Sequence, residues 1–202
     1  MKESPILFSG QMVKAILSGE KTQTRRIAKV TESGCLPGFI TPSGCHVPRR
    51  IAEHISYCPY GKIGDRLWVR EAWNIRDYCS GEYGGQGEAG YPFEKIPKER
   101  PAGGYCLEFA ADGGDGPWRP SIHMPRWASR ITLEITDVRV ERLQNISDED
   151  AISEGVGGDL SITPCYAVSR FRKLWDSING KREGCAWADN PYVWAVSFKV
   201  VK

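Results

Sequence analysis

The sequence predicts a mixed, mainly β fold (α+β): a small barrel of strands with a few short helices packed on its outside. Three observations carry this. Period-two alternation recurs in several stretches, helical patterns are few and short, and the two never alternate in the strand–helix–strand rhythm of a doubly wound parallel sheet. With 202 residues, 41% of them apolar and 26% charged, the chain is long enough to bury one good-sized core. No internal repeat or linker divides it. The expectation is a single domain over 1–202 with a long glycine-rich insert at about 77–104.

Each element has its own signal. Ser9 suits a helix N-cap, and Met12, Val13, Ile16 and Leu17 follow on one helical face. Gly19 stands just past the helix end, where a left-handed residue belongs. From Thr22 the residues suit a strand, with Thr24 and Arg26 on one side and Gln23 and Arg25 on the other. Residues 31–66 are rich in Gly, Pro and Cys and read as loop, closing on a turn at Gly64 and Asp65. A strand from about Leu67 to Trp73 follows.

The insert "CSGEYGGQGEAGYPFEKIPKERPAGG" is weakly patterned, and a stretch of this kind reads as a functional lid or mobile loop. "YCLEFAA" (105–111) suits a strand and "DGGDGPWRP" a turn region. The best alternation lies at 129–143, where Ile131, Leu133 and Ile135 oppose Thr132, Glu134 and Thr136. Asp137 marks a bend or bulge there, before Val138 and Val140 carry on. Ser147, with acids behind it, caps a short helix. Thr163 and Pro164 form an N-cap and N1 pair for a longer helix. Its apolar face is Ala167, Phe171, Leu174, Trp175 and Ile178, and it ends at Gly180. "NPYVWAVSFKVV" closes the chain as a strand.

Composition excludes several classes of function. A net charge of +2 does not by itself argue for nucleic-acid binding, so the arginines would have to gather on one face. No apolar run is long enough to cross a membrane, and "MKESPILFSGQ" has no apolar core for a signal peptide; the expectation is a cytoplasmic protein. The seven cysteines show no CxxC spacing and read as reduced thiols. Cys35, Cys45 and His46, with Cys58, are the group a zinc ion would draw on, against the plainer reading of scattered half-buried thiols. "GGQGEAG" follows no strand and opens no amphipathic helix, so it is no phosphate loop, and neither HExxH nor GxSxG occurs. His123 is a lone histidine of the kind that more often serves structure. No metal or cofactor is expected.

Chemistry concentrates in "SGEKTQTRRI", Ser18 to Ile27. A lysine acts as a base when burial or neighbouring cations depress its pKa, and Arg25 and Arg26 are such cations. A threonine acts as a nucleophile when a base takes its proton. On a regular strand Lys21 and Thr24 would face opposite sides; with Lys21 in the helix exit and Thr24 on the strand, both can reach one cavity. The spacing equally allows a solvated, charged turn. A second group joins Trp68, Arg70 and Glu71 to Arg126, Trp127 and Arg130, aromatics beside arginines that suit base stacking and phosphate contact. The same residues also suit core tryptophans with arginines paired to Glu71 and Glu134.

Four blocks in order, "ILFSGQMVKAILSGEKTQTRR", "CPYGKIGDRLWVREAW", "PSIHMPRWASRITLEIT" and "LWDSING" with "WADNPYVWAVSF", together resemble the ASCH-domain family, closest to larger members carried by phages and prophages. The resemblance implies a PUA-like barrel, a fold associated with RNA, with a cleft between the first helix, its exit turn and the barrel. Some small members of that family remove the acetyl group from N4-acetylcytidine with a G-x-K-T-x-T-x-R string and a glutamate in the helix after the long central strand. Here the string is "GEKTQTRR". The resemblance implies Lys21 as general base, Thr24 as nucleophile, Arg26 as the string's arginine and Glu154 as acid, with Glu149 and Asp150 in the same segment. The expected function is recognition of RNA or a modified nucleoside with hydrolysis of an N-acyl cytidine-type amide, and the expected partner is a nucleoside or RNA. A non-catalytic RNA-binding module and a ribonuclease are the alternatives.

Overall fold

A computed structural model of the chain describes residues 1–28, 40–41, 44–45, 58–77, 96–101, 105–114, 116–156 and 166–201. The cysteine-rich loop, most of the glycine-rich insert and the Thr163–Pro164 pair lie outside these residues. So do Cys35, His46, Cys79 and Cys165.

The elements follow in order. Strand β1 (Glu3–Leu7) leads to helix α1 (Gly10–Leu17). The Ser9 hydroxyl accepts from the Met12 N–H, and Gly19, at φ +79°, turns the chain out of the helix. Strand β2 (Gln23–Ile27) follows, then the short pair β3 (Ile40–Thr41) and β4 (Gly44–Cys45). Next come β5 (Arg66–Arg70), β6 (Trp73–Asp77), β7 (Tyr105–Phe109) and the long β8 (Thr132–Arg142). Helix α2 (Asp148–Ser153), helix α3 (Ala167–Asn179) and strand β9 (Tyr192–Val200) complete the chain.

The result is the α+β, mainly β class expected. Five strands form a mixed sheet in the order β1-β5-β8-β9-β2, with β1 and β5 parallel and the other pairs antiparallel. Among the described residues no backbone ladder joins the two end strands. They are tied instead by a side chain, because Arg26 Nη2 on β2 donates to the Leu7 carbonyl on β1. Helix α1 packs Val13 and Ile16 against one face of the sheet, with Leu133, Ile135, Val138, Val140, Trp194, Val196 and Phe198. Helices α2 and α3 cover the other face, where Ala151, Phe171 and Trp175 meet Val193. Strand β9 is therefore buried on both sides, which is why "YVWAVSF" is nearly continuous in apolar residues.

The bulge in β8 has a clear purpose. Its register against β9 shifts between Ile135 and Asp137. Before the shift the core positions are the odd residues Leu133 and Ile135; after it they are the even residues Val138 and Val140. One extra residue, Thr136, keeps both halves facing the same core, since a period-two strand would otherwise turn its second half outward.

The structure adds a strand and changes two expectations. The strand β1 carried no sequence signal: it is short, holds Pro5 and buries only Ile6, features of an end strand defined by its tertiary partner β5. The strand expected over Leu67–Trp73 breaks at Glu71, whose carboxylate is drawn into a buried pair with Arg130. Trp73 then begins the separate β6–β7 hairpin and fills a small second core with Ile75, Phe109, Met124 and Ala128. Apolar alternation runs straight through this break, so pattern alone does not reveal it. Among the described residues Glu134 forms its ion pair with Lys199, its cross-strand neighbour on β9, with Arg66 opposite it on β5.

The exits of α1 and α2 are laced together. Lys21 N–H donates to Ala15 O, Thr22 N–H donates to Ser153 O, and Thr22 O accepts from Phe198 N–H. Lys21 and Glu154 form an isolated antiparallel bridge. Gly155 follows at φ +84°, where an added Cβ would lie 3.0 Å from Ala15 Cβ and 3.1 Å from Lys21 Cβ. Gly155→Ala is expected to destabilise the fold by ~2 kcal/mol or more in urea melts, combining left-handed strain with overpacking. Gly184→Ala, at φ +68° with nothing within 4 Å, is expected to cost only ~1 kcal/mol. Equal losses would show that the close approach at Gly155 is unimportant.

Candidate active site

The turn out of α1 buries Lys21 to 1% exposure, and the end of α2 buries Glu154 to 5%. The lysine amine has three acceptors: Glu154 Oε2 at 2.7 Å, Glu154 O at 2.8 Å and Gln23 O at 2.9 Å. That matches an ammonium's three donors. The Gln23 carbonyl belongs to the peptide that leads into Thr24, so the amine lies one peptide group from that residue. Burial pushes the Lys21 pKa below the ordinary lysine range; Glu154 opposes the shift, and Arg26 and Arg25 add to it.

The second oxygen of Glu154 lies 3.4 Å from Arg25 Nη1. Arg25 is itself buried, and the sequence reading gave it no role beyond its charge. Its Nη2 donates to Asp150 Oδ2 at 2.6 Å and to Glu141 Oε1 at 2.7 Å, and its Nε to Glu141 Oε1 at 3.0 Å. Asp150 also accepts from Arg139 and from the Gln23 amide. The cations beside Asp150 hold its pKa below the usual carboxylate value against the effect of burial. The set Lys21, Arg25 and Arg139 with Glu154, Asp150 and Glu141 is thus three cations on three carboxylates.

Beside this network lies a cleft of ≈ 640 Å³. Thr24, Arg26, Glu154 and Tyr60 line it, and α3 supplies Phe171, Leu174, Trp175 and Ile178 along one wall. Among the described residues the Thr24 hydroxyl has no hydrogen-bond partner, although the residue is only 3% exposed. Arg26 Nε is likewise buried without a partner, its guanidinium 5.1 Å from the Phe8 ring centroid. Lys21 does not line the cleft; it reaches it through Glu154. Tyr60, half-buried, with its phenol pKa raised by burial, stood in a segment read as loop and gave no sequence signal. The α3 wall was legible as an apolar face, but nothing in the sequence said that a cleft would open against it.

The second predicted group is dispersed. Trp68 lies under two guanidinium groups, with Arg70 at 4.6 Å and Arg126 at 6.0 Å from its ring centroid. Arg126 also pairs with Glu3, and Arg70 Nε is buried without a partner. Glu71 is 1% exposed and receives Arg130 through both oxygens, at 2.9 and 3.1 Å, so its carboxylate is occupied. Trp127 packs edge-on against Trp73 and Tyr105, and its indole N–H donates to Pro97 O. None of these residues lines the cleft at Thr24. Among the described residues no group of three His, Cys, Asp or Glu could hold a metal ion, and no helix is long and apolar enough to cross a membrane.

The buried pair has a consequence for stability. The folded pKa of Lys21 is lowered, so above it the folded state holds fewer protons than the unfolded chain. Stability then rises with pH through the folded pKa up to the unfolded value of ~10.4. Glu154→Gln removes the opposing charge, so the rise is expected to begin at lower pH, with a loss of ~3 kcal/mol or more at neutral pH. Urea midpoints between pH 7 and 10, each referred to Lys21→Met, measure this. A wild-type profile parallel to that of Lys21→Met would contradict it.

No family model matches the chain, and no curated protein matches it. Among solved structures, the chain is similar to an ASCH domain from Lactobacillus crispatus, with a TM-score of 0.42 and 14% identity over 99% of this chain and 80% of that one. It is similar at the same TM-score to a protein of the family DUF984 from Enterococcus faecalis, with 10% identity over 100% of this chain and 81% of that one.

Proposed function

We propose that the chain is an ASCH-type protein that binds a modified nucleoside or RNA and hydrolyses an N-acyl cytidine-type amide at Thr24. One observation carries this reading. Thr24 and Glu154 line a single cleft, and the Lys21 amine is bonded both to the Glu154 carboxylate and to the carbonyl of the peptide leading into Thr24. A solvated charged turn, the alternative left open by the residues alone, would not bury its lysine to 1%.

The chemistry follows from the pair. Burial favours the neutral state, so the short Lys21–Glu154 contact provides a path for the lysine to pass one proton to the carboxylate. Neutral Lys21, brought within hydrogen-bond reach of the Thr24 hydroxyl when substrate binds, takes its proton as the oxygen attacks the acyl carbon. Glu154, now protonated, gives its proton to the departing cytosine amine as the C–N bond breaks. The resulting acyl-threonine ester is hydrolysed by water, releasing the carboxylic acid and restoring Thr24. Arg26 lines the same cleft, and its guanidinium offers a donor to the oxyanion of each step. No step asks for a metal.

The second reading, binding without turnover, draws on the Trp68, Arg70 and Arg126 cluster, which carries cations on an aromatic face away from the cleft. Incubation with N4-acetylcytidine, followed by chromatography of cytidine, separates the two. Turnover is expected, falling by ~10³-fold or more in Thr24→Val and Lys21→Met, with Thr24→Ser partly active. Absence of deacetylation, or full activity in Lys21→Met, would leave binding as the better account, and fragmentation of RNA would indicate the ribonuclease reading.

A further inference from the structure

The sequence spends its positive charge unevenly around the cleft. Segment 170–183, comprising α3 and its exit, holds Arg170, Arg172, Lys173, Lys181 and Arg182 against only Asp176 and Glu183. In a chain of net charge +2 this is a local excess larger than that of the whole molecule. Arg172, Lys173, Lys181 and Arg182 are exposed, and none of the five cations makes an ion pair among the described residues. Asp176, the one acid within the helix, turns an oxygen to the Trp187 N–H at 2.7 Å and forms no ion pair with these cations among the described residues.

This helix is also the apolar wall of the cleft. Phe171, Leu174, Trp175 and Ile178 recur at helical spacing and line it, and Asn179, Arg182 and Cys185 continue the lining beyond them. Ile178 is 54% exposed, so the wall extends into the open mouth. At the inner end, Phe171 lies 5.9 Å from the Arg25 guanidinium, and Glu154 lines the same cleft. From Phe171 to Asn179 the helix rises ~12 Å at ~1.5 Å per residue. Residues 170 and 172 stand ~100° to either side of Phe171, so Arg170 and Arg172 flank the wall while Arg182 sits at its outer end.

We infer that this cleft takes its target base from within a single-stranded polynucleotide, with the sugar–phosphate backbone laid along the basic rim of α3 and past Arg182. The inference rests on the function proposed above and specifies its substrate class. A free nucleoside would use only the inner end, at Thr24 and Glu154, and would leave the outer wall and the flanking Arg170, Arg172 and Arg182 without a function. A duplex hides its bases in the stack, whereas a single strand can present one base to a pocket and keep its phosphates outside. The ~12 Å of wall exceeds the ~3.4 Å rise of one stacked nucleotide, so more than one phosphate can be tracked.

The test measures binding and turnover with the full chain. Fluorescence anisotropy with a labelled ten-nucleotide single-stranded RNA should show binding that weakens ~15- to 20-fold between 50 and 200 mM salt, as three phosphate contacts on a single strand require. The double reversal Arg172→Glu with Arg182→Glu should weaken binding by at least tenfold and flatten that salt dependence. Lys199→Glu, which changes net charge on β9 away from the rim, should change binding less than twofold. The same decamer carrying one N4-acetylcytidine should show a kcat/KM at least tenfold above that of the free nucleoside. Equal binding by the double variant and Lys199→Glu would overturn the proposal. So would equal kcat/KM for nucleoside and decamer, tighter binding of a duplex, or equal competition by polyglutamate, the last marking a surface for acidic polypeptides. Failure to deacetylate either substrate, with salt-sensitive RNA binding intact, would instead remove the hydrolase reading and leave the rim assignment standing.

Discussion

The contact between Lys21 and Glu154 is the constraint on which the rest of the site depends. Removing an ammonium and a carboxylate from water costs several kcal/mol per ion, and the cost is met only where every donor finds an acceptor. Here the amine uses two carbonyls and one carboxylate oxygen. Those acceptors come from two distant parts of the chain, so satisfying the lysine fixes the exit of α1, the exit of α2 and the start of β2 relative to one another. The backbone repeats the same geometry, with Thr22 N–H on Ser153 O and Lys21 N–H on Ala15 O. Gly155 is part of this arrangement, because a Cβ there would press on Ala15 and Lys21 at 3.0 and 3.1 Å and force them to shift.

Around that contact the charges are arranged in two tiers. Lys21 and Glu154 form the inner tier, and Arg25, Glu141, Asp150 and Arg139 the outer one. Arg25 joins them: its planar fork reaches Glu141 and Asp150 at short range and Glu154 at 3.4 Å. A buried network of this kind is weak evidence for stability by itself. It does confine Glu154 to one position. It also leaves Thr24 and Arg26, whose place in the β2 alternation is opposite to that of Gln23 and Arg25, outside the network, with Arg26 Nε unpartnered among the described residues.

Much of the fold could be read directly because its signals are local. The Ser9 and Ser147 caps, Gly19 past the first helix and the change of parity in β8 each depend on a few adjacent residues. The parity problem between Lys21 and Thr24 was also local, and it resolves because β2 begins only at Gln23 and leaves Lys21 in the turn. What was not legible is non-local. Arg25 finds Glu141 and Asp150 at separations of 116 and 125 residues, and no spacing rule links them. Glu71 was placed in a ligand group because it neighbours Trp68 and Arg70, but a bidentate arginine 59 residues away claims both its oxygens. The tryptophans divide for the same reason. Trp68 and Trp127 sit beside arginines in sequence, yet one meets Arg70 and Arg126 while the other fills the hairpin core with Trp73.

The choice of cation at each buried position follows from what each can do with a proton. Arginine stays charged in any protein environment, whereas lysine becomes neutral when desolvated beside other cations. Arg25 occupies the position that faces three carboxylates, where a permanent planar charge is needed and proton loss would leave the acids unbalanced. Lys21 occupies the position where burial and two arginines press toward neutrality and a single carboxylate resists. Exchanging the two would place a permanent charge one peptide from Thr24 and a titratable one among the acids, which would hold it charged. The order Lys21 then Arg25 therefore separates a cation able to yield a proton from one that only holds the structure, and it does so within a single turn and strand.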